Sequence, residues 1–326
     1  MKEYYQVKKI SNSSLSWFQK SPKYFKAMLD GEITEPTKSY FEKGEMIHQY
    51  LLEPDEFSKN YIFLAYNTPV SQQQKDFCKT YAFKKKGSDT ERLLESYRDS
   101  YSTKESDEKV LDKATALAKD YKEYIKFLKL SHVYTAILSP SVEGTLTTIK
   151  SNVVSHQKAN ELLFNTDHDA FGNTKDLFIA NEFAIYWDAP NGLECKSLLD
   201  RLIIDFKNKR ITLVDLKTTS HMTEFKEKFT EYRYYRQMAF YWMALYSHFV
   251  ITYPNENWDE YQRETYIIAI STDSLAEVKV FSVSEPSLNK GFDEITPLLD
   301  LIKWHSTEDK WDYTRAYYDG CMTEIV

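Results

Sequence analysis

SLLDRLIIDFKNKRITLVDLKTT, residues 197–219, consists of two apolar, β-branched runs separated by the polar Lys207-Asn208-Lys209. This pattern predicts a β-hairpin. With the turn centred near Lys207–Asn208, position 200 falls opposite position 215. Side chains alternate faces along a strand, so Ile211, Leu213, Asp215 and Lys217 share one face, and Leu202 and Ile204 share the face of Asp200. That face is apolar for two residue pairs and then ends in Asp200, Asp215 and Lys217. A slip of one residue would send the two aspartates to opposite sides.

Two carboxylates and an ammonium at the end of a sheet are costly to bury unless they are paired or bound to a cation. A hard ion such as Mg²⁺, or Mn²⁺ in its place, takes oxygen ligands in a near-octahedral array. Asp200, Asp215 and the backbone carbonyl of Leu216 supply such oxygens. Lys217 can then orient or help deprotonate a water beside a phosphodiester, while the cation stabilises charge on the phosphorane and leaving oxygen. Taken alone, an Asp-x-Lys triplet is in most cases a pair of solvated surface charges. Its neighbours therefore carry the weight.

The 326 residues suffice for one large α/β domain or a core with a sizeable insert. A hydrophobic share of 42% is ample for a core, and 25 tyrosines make the chain unusually aromatic. The net charge of −7 excludes a global basic field, so contact with nucleic acid has to use local patches. Lys84-Lys85-Lys86, Lys207/Lys209/Arg210 and Arg233/Arg236 are the candidates. The opening MKEYYQVKKI has no apolar signal core, and no run approaches a membrane span. A cytoplasmic protein is expected, without a membrane partner. Cys78, Cys195 and Cys321 are too widely spaced for a zinc pattern or a disulfide framework.

Residues 11–29 read as a short capped helix followed by a second one, and 38–53 as a helix stopped by Pro54. On the latter, Gly44 and His48 lie one turn apart on one face. Residues 71–131 are polar, Lys/Glu-rich and helical, with breaks at GSD and STKES. A helix over about 141–164 precedes the strand NEFAIYWD at 181–188, the turn APNG, and the hairpin. A long helix from about 222 to 249 follows, then a second hairpin (YIIAIST and AEVKVFSV) and a final helix, LNKGFDEITPLLDLIKWH. No internal repeat is visible.

Within the 222–249 helix, Arg233, Gln237 and Tyr241 fall at i, i+4 and i+8, roughly one stripe. Gln237 stands out, because an amide beside the preceding strand end can bind a phosphate or position a base. Tyr241 reads first as core, since Tyr and Trp crowd this helix and most of them must be buried. Glu182 opens a strand and, with a turn near Pro190, shares the face of Asp200. It is either a third acidic ligand or a surface charge. A lone helical His such as His48 is commonly a satisfied core residue.

The order of these pieces carries a resemblance. SxSSLxxFxxSPxxF (Ser11 to Phe25), GxxxH (Gly44/His48), Glu182, Asp200, DxK (Asp215/Lys217) and QxxxY (Gln237/Tyr241) together resemble the RecB-type branch of the PD-(D/E)xK nuclease superfamily. Within it the chain looks most like phage and prophage exodeoxyribonuclease VIII (RecE-like) exonucleases. GEMIHQYLLEPDEF is especially similar to their His-bearing helix. The resemblance covers about 1–65 and 141–250. It implies a restriction-endonuclease-like α/β fold, with a central mixed sheet flanked by helices. The implied organisation is N-terminal helices with the His motif over 1–65, a helical insertion or arm over 66–140, and the core sheet with C-terminal helices over 141–326.

By the same resemblance Asp200 and Asp215 are metal-binding carboxylates, Lys217 is the catalytic lysine, and His48 is a further metal ligand. Glu182 matches an acidic position of many relatives. Gln237 and Tyr241 match the motif that contacts DNA or braces the lysine, with Arg233 beside them. The implied activity is Mg²⁺- or Mn²⁺-dependent exonucleolytic hydrolysis from 5′ ends of linear duplex DNA, within phage-type recombination. The 3′ single strands so formed feed a single-strand annealing protein, in the bacterial host cytoplasm if the chain is phage-encoded. Such relatives form closed rings, which implies a homo-oligomer. Two departures stand out. Asp200 follows Leu199 rather than proline, and Ser21 stands where a four-cysteine branch carries a cluster ligand, so no iron–sulfur cluster is expected.

Three other readings fit the residues. One is a catalytically silent nuclease-fold protein that binds DNA or a host repair enzyme. Another is a single-strand-specific nuclease of the same fold. The third is a metal-free α/β interaction module. A carboxylate-lined site repels phosphate unless a cation is present, which disfavours the silent binder.

Overall fold

The computed structural model describes residues 2–34, 39–164 and 176–321. They form two compact units, Met1–Glu53 with Ile149–Val326, and Pro54–Thr148. The first unit opens with α1 (Lys2–Gln6), α2 (Asn12–Lys20), α3 (Pro22–Asp30) and α4 (Ser39–Leu52). The second holds α5 (Pro54–Asn60), β1 (Tyr61–Phe63), α6 (Gln72–Phe83), α7 (Asp89–Tyr101), α8 (Asp107–Asp120), α9 (Lys122–Leu130) and β2 (Ala136–Leu138). The chain continues through α10 (Pro140–Ser155), α11 (Gln157–Leu163), β3 (Leu177–Asp188), β4 (Glu194–Asp205) and β5 (Arg210–Thr219). It closes with α12 (Phe225–Glu231), α13 (Tyr234–Thr252), β6 (Gln262–Ser271), β7 (Val278–Ser282), α14 (Glu285–Glu308) and α15 (Arg315–Tyr318).

The first unit is built on a mixed sheet of order β3-β4-β5-β6-β7. β3, β4 and β5 are antiparallel neighbours, β5 and β6 run parallel, and β7 returns antiparallel to β6. The parallel pair needs a crossover, and α12 and α13 provide it. Ile204 pairs with Ile211 and Leu202 with Leu213, so the hairpin turns between Lys207 and Asn208, as the spacing predicts. The turn has its own chemistry. The Asp205 carboxylate accepts the Asn208 backbone N–H at 2.9 Å and its side-chain amide at 2.7 Å, and Lys209 closes the turn with φ +49°.

α13 is apolar around most of its circumference because it is covered on two sides. It packs on β3 and β4 and is backed by α14. Gly291 of α14 makes the approach possible, since a Cβ there would stand 2.6 Å from Ala239 Cβ and 2.8 Å from the Tyr235 carbonyl oxygen. Arg236, Met238, Ala239, Phe240, Ala244 and Leu245 are all buried as a result.

In the second unit, Ser71 and Ser88 cap α6 and α7 through reciprocal capping boxes with Gln74 and Glu91. Phe77, Cys78, Leu93, Tyr97, Val110, Ala114 and Ile125 form the unit's core. β1 and β2, two short apolar strands that flank the polar 71–131 stretch, pair in parallel.

Three long helices of the sequence reading are interrupted. The 107–130 stretch breaks at Tyr121 between α8 and α9, and the 141–164 stretch at His156, whose Nδ1 accepts the Ala159 N–H at 3.3 Å as an N-cap. The 222–249 stretch becomes a 3₁₀ turn (Met222–Glu224), α12 and α13, broken at Arg233, which has φ +53°. Among the described residues, no helix is long and apolar enough to cross a membrane.

Candidate metal centre

β3 and β4 hold a constant register on both sides of Glu182 and Asp200, with Asn181 opposite Arg201 and Phe183 opposite Leu199. Glu182 itself has φ +46°, a left-handed conformation uncommon outside glycine. At this point the alternation of side chains changes phase. Phe183, Ile185, Trp187, Cys195 and Leu199 enter one core cluster from one side of it, and Phe178, Leu202 and Ile204 enter the same cluster from the other. Uniform period-two alternation of side chains therefore fails here, although Glu182 and Asp200 stay opposite one another between the paired positions on either side.

The β4–β5 ladder stops at Arg201 opposite Val214. Beyond it the Asp200 carboxylate stands in for the missing strand partner, its Oδ2 accepting the Leu216 N–H at 2.7 Å. A strand residue's N–H and C=O point to the same edge, so the Leu216 carbonyl also faces this gap.

α4 brings in the imidazole. Gly44 lets the helix approach β5, because a Cβ there would lie 3.1 Å from Thr218 Oγ1. At the far end of α4, Asn181 donates to the Leu52 carbonyl at 2.8 Å. Between these two fixings His48 Nδ1 lies 3.6 Å from Asp200 Oδ2 and 3.8 Å from Glu182 Oε1. One donor atom from each of His48, Glu182 and Asp200 falls within 4.8 Å of the others.

Asp215 is fully buried beside this cluster. Its Oδ2 lies 2.7 Å from Lys217 Nζ, yet no aligned hydrogen bond reaches that oxygen. Gln237 Nε2 donates to Asp215 Oδ1 at 3.3 Å and to the Tyr241 hydroxyl at 2.7 Å. The Lys217 ammonium stands 5.1 Å from the centroid of the Tyr234 ring.

The electrostatics of so many buried groups favour proton retention. Burial pushes the Asp200 carboxyl up, and raises that of Asp215 to about 6, against the pull of Lys217. Burial works against charge on His48 and Lys217. The charge of Asp200 and the contact with Glu182 nevertheless raise His48, and those of Asp215 and Asp200 raise Lys217. Burial holds the Tyr241 hydroxyl well above its ordinary range. A set of one imidazole nitrogen and several carboxylate oxygens, one of them buried without an aligned hydrogen bond, fits a divalent cation that accepts mixed N/O ligands. A bound cation would displace the protons these groups retain.

Arg233 does not join the stripe expected of it. It caps α13 from outside the helix, and its Nε lies 3.7 Å from Glu294 Oε2. Arg236 is fully buried and donates to Asn12 Oδ1 at 3.1 Å, Gln19 Oε1 at 2.6 Å and Ser16 Oγ at 2.6 Å. Burial pushes its guanidinium down to about 10. It ties α2 to α13 one residue from Gln237 and cannot meet a ligand, a role its place in an Arg/Arg pair concealed. The other basic patches are partly neutralised, Lys84 by Glu95 at 2.7 Å, Lys209 by Glu256, and Arg210 by Glu264 at 3.8 Å.

The chain matches, over residues 11–316, the family model described as a PDDEXK-like domain of unknown function. It belongs to that PDDEXK-like family. The match spans the site and both units, and the expected fold class, an α/β core with a mixed sheet flanked by helices, is the one observed. A crystal structure from Eubacterium rectale, of a protein described provisionally as an exonuclease, is 14% identical with a TM-score of 0.38, over 90% of this chain and 97% of that one. The crystal structure of SSO0001 is 9% identical with a TM-score of 0.23, over 86% of this chain and 96% of that one. No curated protein sequence matches.

Proposed function

We propose that this PDDEXK-like chain is a divalent-metal-dependent nuclease that hydrolyses DNA phosphodiester bonds. The observation that carries the reading is the convergence of His48, Glu182 and Asp200 within 4.8 Å, beside the Asp215–Lys217 pair at 2.7 Å. His48, Glu182, Asp200 and Asp215, with the Leu216 carbonyl, are the residues that would hold the cation. When bound, Mg²⁺ or Mn²⁺ supplies Lewis-acid stabilisation of charge on the scissile phosphate.

The protein's own groups do the rest. In the metal-free protein the charges of Asp215 and Asp200 raise Lys217, and its Nζ, 2.7 Å from Asp215 Oδ2, is placed to orient water and phosphate as a donor. Gln237 fixes Asp215 Oδ1, which leaves Oδ2 turned to Lys217. Tyr241, held neutral by burial, braces Gln237. Arg236 positions this face of α13 through α2.

The finer part of the proposal rests on the resemblance to RecE-like enzymes: exonucleolytic 5′-to-3′ action on linear duplex ends, in phage-type recombination, with a single-strand annealing protein as partner and a homo-oligomer as the working form. Its test uses 5′- and 3′-labelled linear duplex and closed circular duplex, with Mg²⁺, Mn²⁺ or EDTA. Metal-dependent loss of linear DNA alone, with early release of the 5′ label, is expected. Cutting of circles overturns the exonuclease assignment. DNA binding with no cleavage under either metal leaves the silent binder.

A further inference from the structure

Tyr5, Tyr4 and Tyr186 lie in a row that is tied to β3 at Tyr186 and to β4 through Lys196, four residues from Glu182 and Asp200 respectively. The Tyr5 hydroxyl lies within electrostatic reach of Glu182, Glu45, Asp200 and Glu53, while Tyr5 as a whole is 67% exposed. Its ring centroid is 5.4 Å from that of Tyr4, which is 6.2 Å from that of Tyr186. Tyr186, on β3, is 47% exposed, and the Lys9 ammonium stands 5.8 Å from its centroid.

The row is built onto the sheet. Lys196 of β4, 8% exposed, donates to the carbonyls of Tyr4 at 2.9 Å and Val7 at 2.7 Å. Its ammonium also stands 4.6 Å from the Tyr4 ring centroid, so a buried cation clamps α1 by two backbone oxygens and a π face. Ile10 continues the attachment, its carbonyl accepting the Lys196 N–H at 2.7 Å.

A chain of net charge −7 with carboxylates at its site has little positive field with which to grip a phosphate backbone. Aromatic faces offer a grip that needs no charge, because every base has a π face to stack on. A closed duplex hides those faces and an unpaired strand offers them. We propose that the exposed rings of Tyr5 and Tyr186, with Tyr4 packed between them, form a stacking track that holds the unpaired end of a DNA strand beside the metal centre. The inference deepens the nuclease reading and rests on it for the identity of the strand.

The test measures binding of fluorescein-labelled oligothymidylate and of a blunt duplex by anisotropy, in EDTA and in Ca²⁺. The proteins are wild type, Tyr5→Ala, Tyr186→Ala, Tyr5→Phe and Tyr186→Phe, each checked for an unchanged Tm. Each alanine is expected to weaken single-strand binding about tenfold, and each phenylalanine to retain it. KM for unpaired ends in Mn²⁺ should rise in the alanine variants more than kcat falls. Wild type that binds no single strand, alanine variants that bind as wild type, or phenylalanine variants as weak as alanine each overturn the track. Ring-dependent binding by a wild type that never cleaves keeps the track and removes the nuclease. Cleavage with an unmoved KM removes the track alone.

Discussion

Glu182 and Asp200 face each other across β3 and β4 where both strands change phase, and Glu182 occupies that position with a φ of +46°. A non-glycine residue held there costs about 1–2 kcal/mol, and the strain falls at a proposed ligand position. Glu182→Gly should therefore raise Tm in EDTA while shrinking the further rise that Mn²⁺ produces. Thermal melts with and without metal read both effects. A lower Tm in EDTA would show that the conformation is not strained.

Gly44 allows α4 to lie against Thr218, and His48 rides on the same helix. Gly44→Ala places a Cβ 3.1 Å from Thr218 Oγ1, so the helix must give by a few tenths of an ångström. Cleavage and Mn²⁺ affinity are expected to fall several-fold, and Thr218→Ala in the same chain to restore them. The double variant is the informative measurement, since restored space without restored affinity would separate His48 from the cation.

How far the site was legible follows from these residues. The hairpin register was readable because Lys207-Asn208 lies midway between Asp200 and Asp215, and the ladder observed, Ile204 with Ile211, is the one that spacing dictates. The phase change at Glu182 was not readable, because period-two counting assumes a uniform strand and no glycine or proline marks the kink. The break at Arg233 was hidden for a similar reason: a left-handed arginine has no sequence signature. Arg236 looked like a surface cation because burial is decided by α2, which is more than two hundred residues away in the chain. Tyr4 and Tyr5 passed unnoticed because their place depends on Lys196.

The buried Arg236 donates to neutral oxygens of Asn12 and Ser16, which are half-buried, and of Gln19, which is exposed. Arg236→Met removes the ties from α13 to Asn12 and Ser16 and should cost about 1–3 kcal/mol in urea unfolding. Arg236→Lys, which reaches fewer of them, should cost less. Equal stability of wild type and the methionine variant would contradict the network.

Asp215 in the metal-free protein retains its proton to about pH 6, against an ordinary value of 3.8. A carboxyl raised on folding contributes stability that is complete below its unfolded pKa and lost as pH rises through the folded one. In EDTA the stability of wild type relative to Asp215→Asn should therefore fall between about pH 4 and pH 7. Urea melts across that range give the difference directly. A difference that grows with pH would mean that Asp215 is stabilised as the anion.

The central claim is that the paired Asp215–Lys217 end of the sheet performs hydrolysis beside a bound cation. Single-turnover cleavage of end-labelled linear duplex by wild type and Lys217→Met in Mn²⁺, with the Mn²⁺-induced Tm shift recorded on both, tests it most directly. The account predicts that the variant keeps a metal-dependent shift and loses at least about a hundredfold in rate. Cleavage by Lys217→Met at the wild-type rate, or a wild type that binds Mn²⁺ and DNA without cutting, would contradict it.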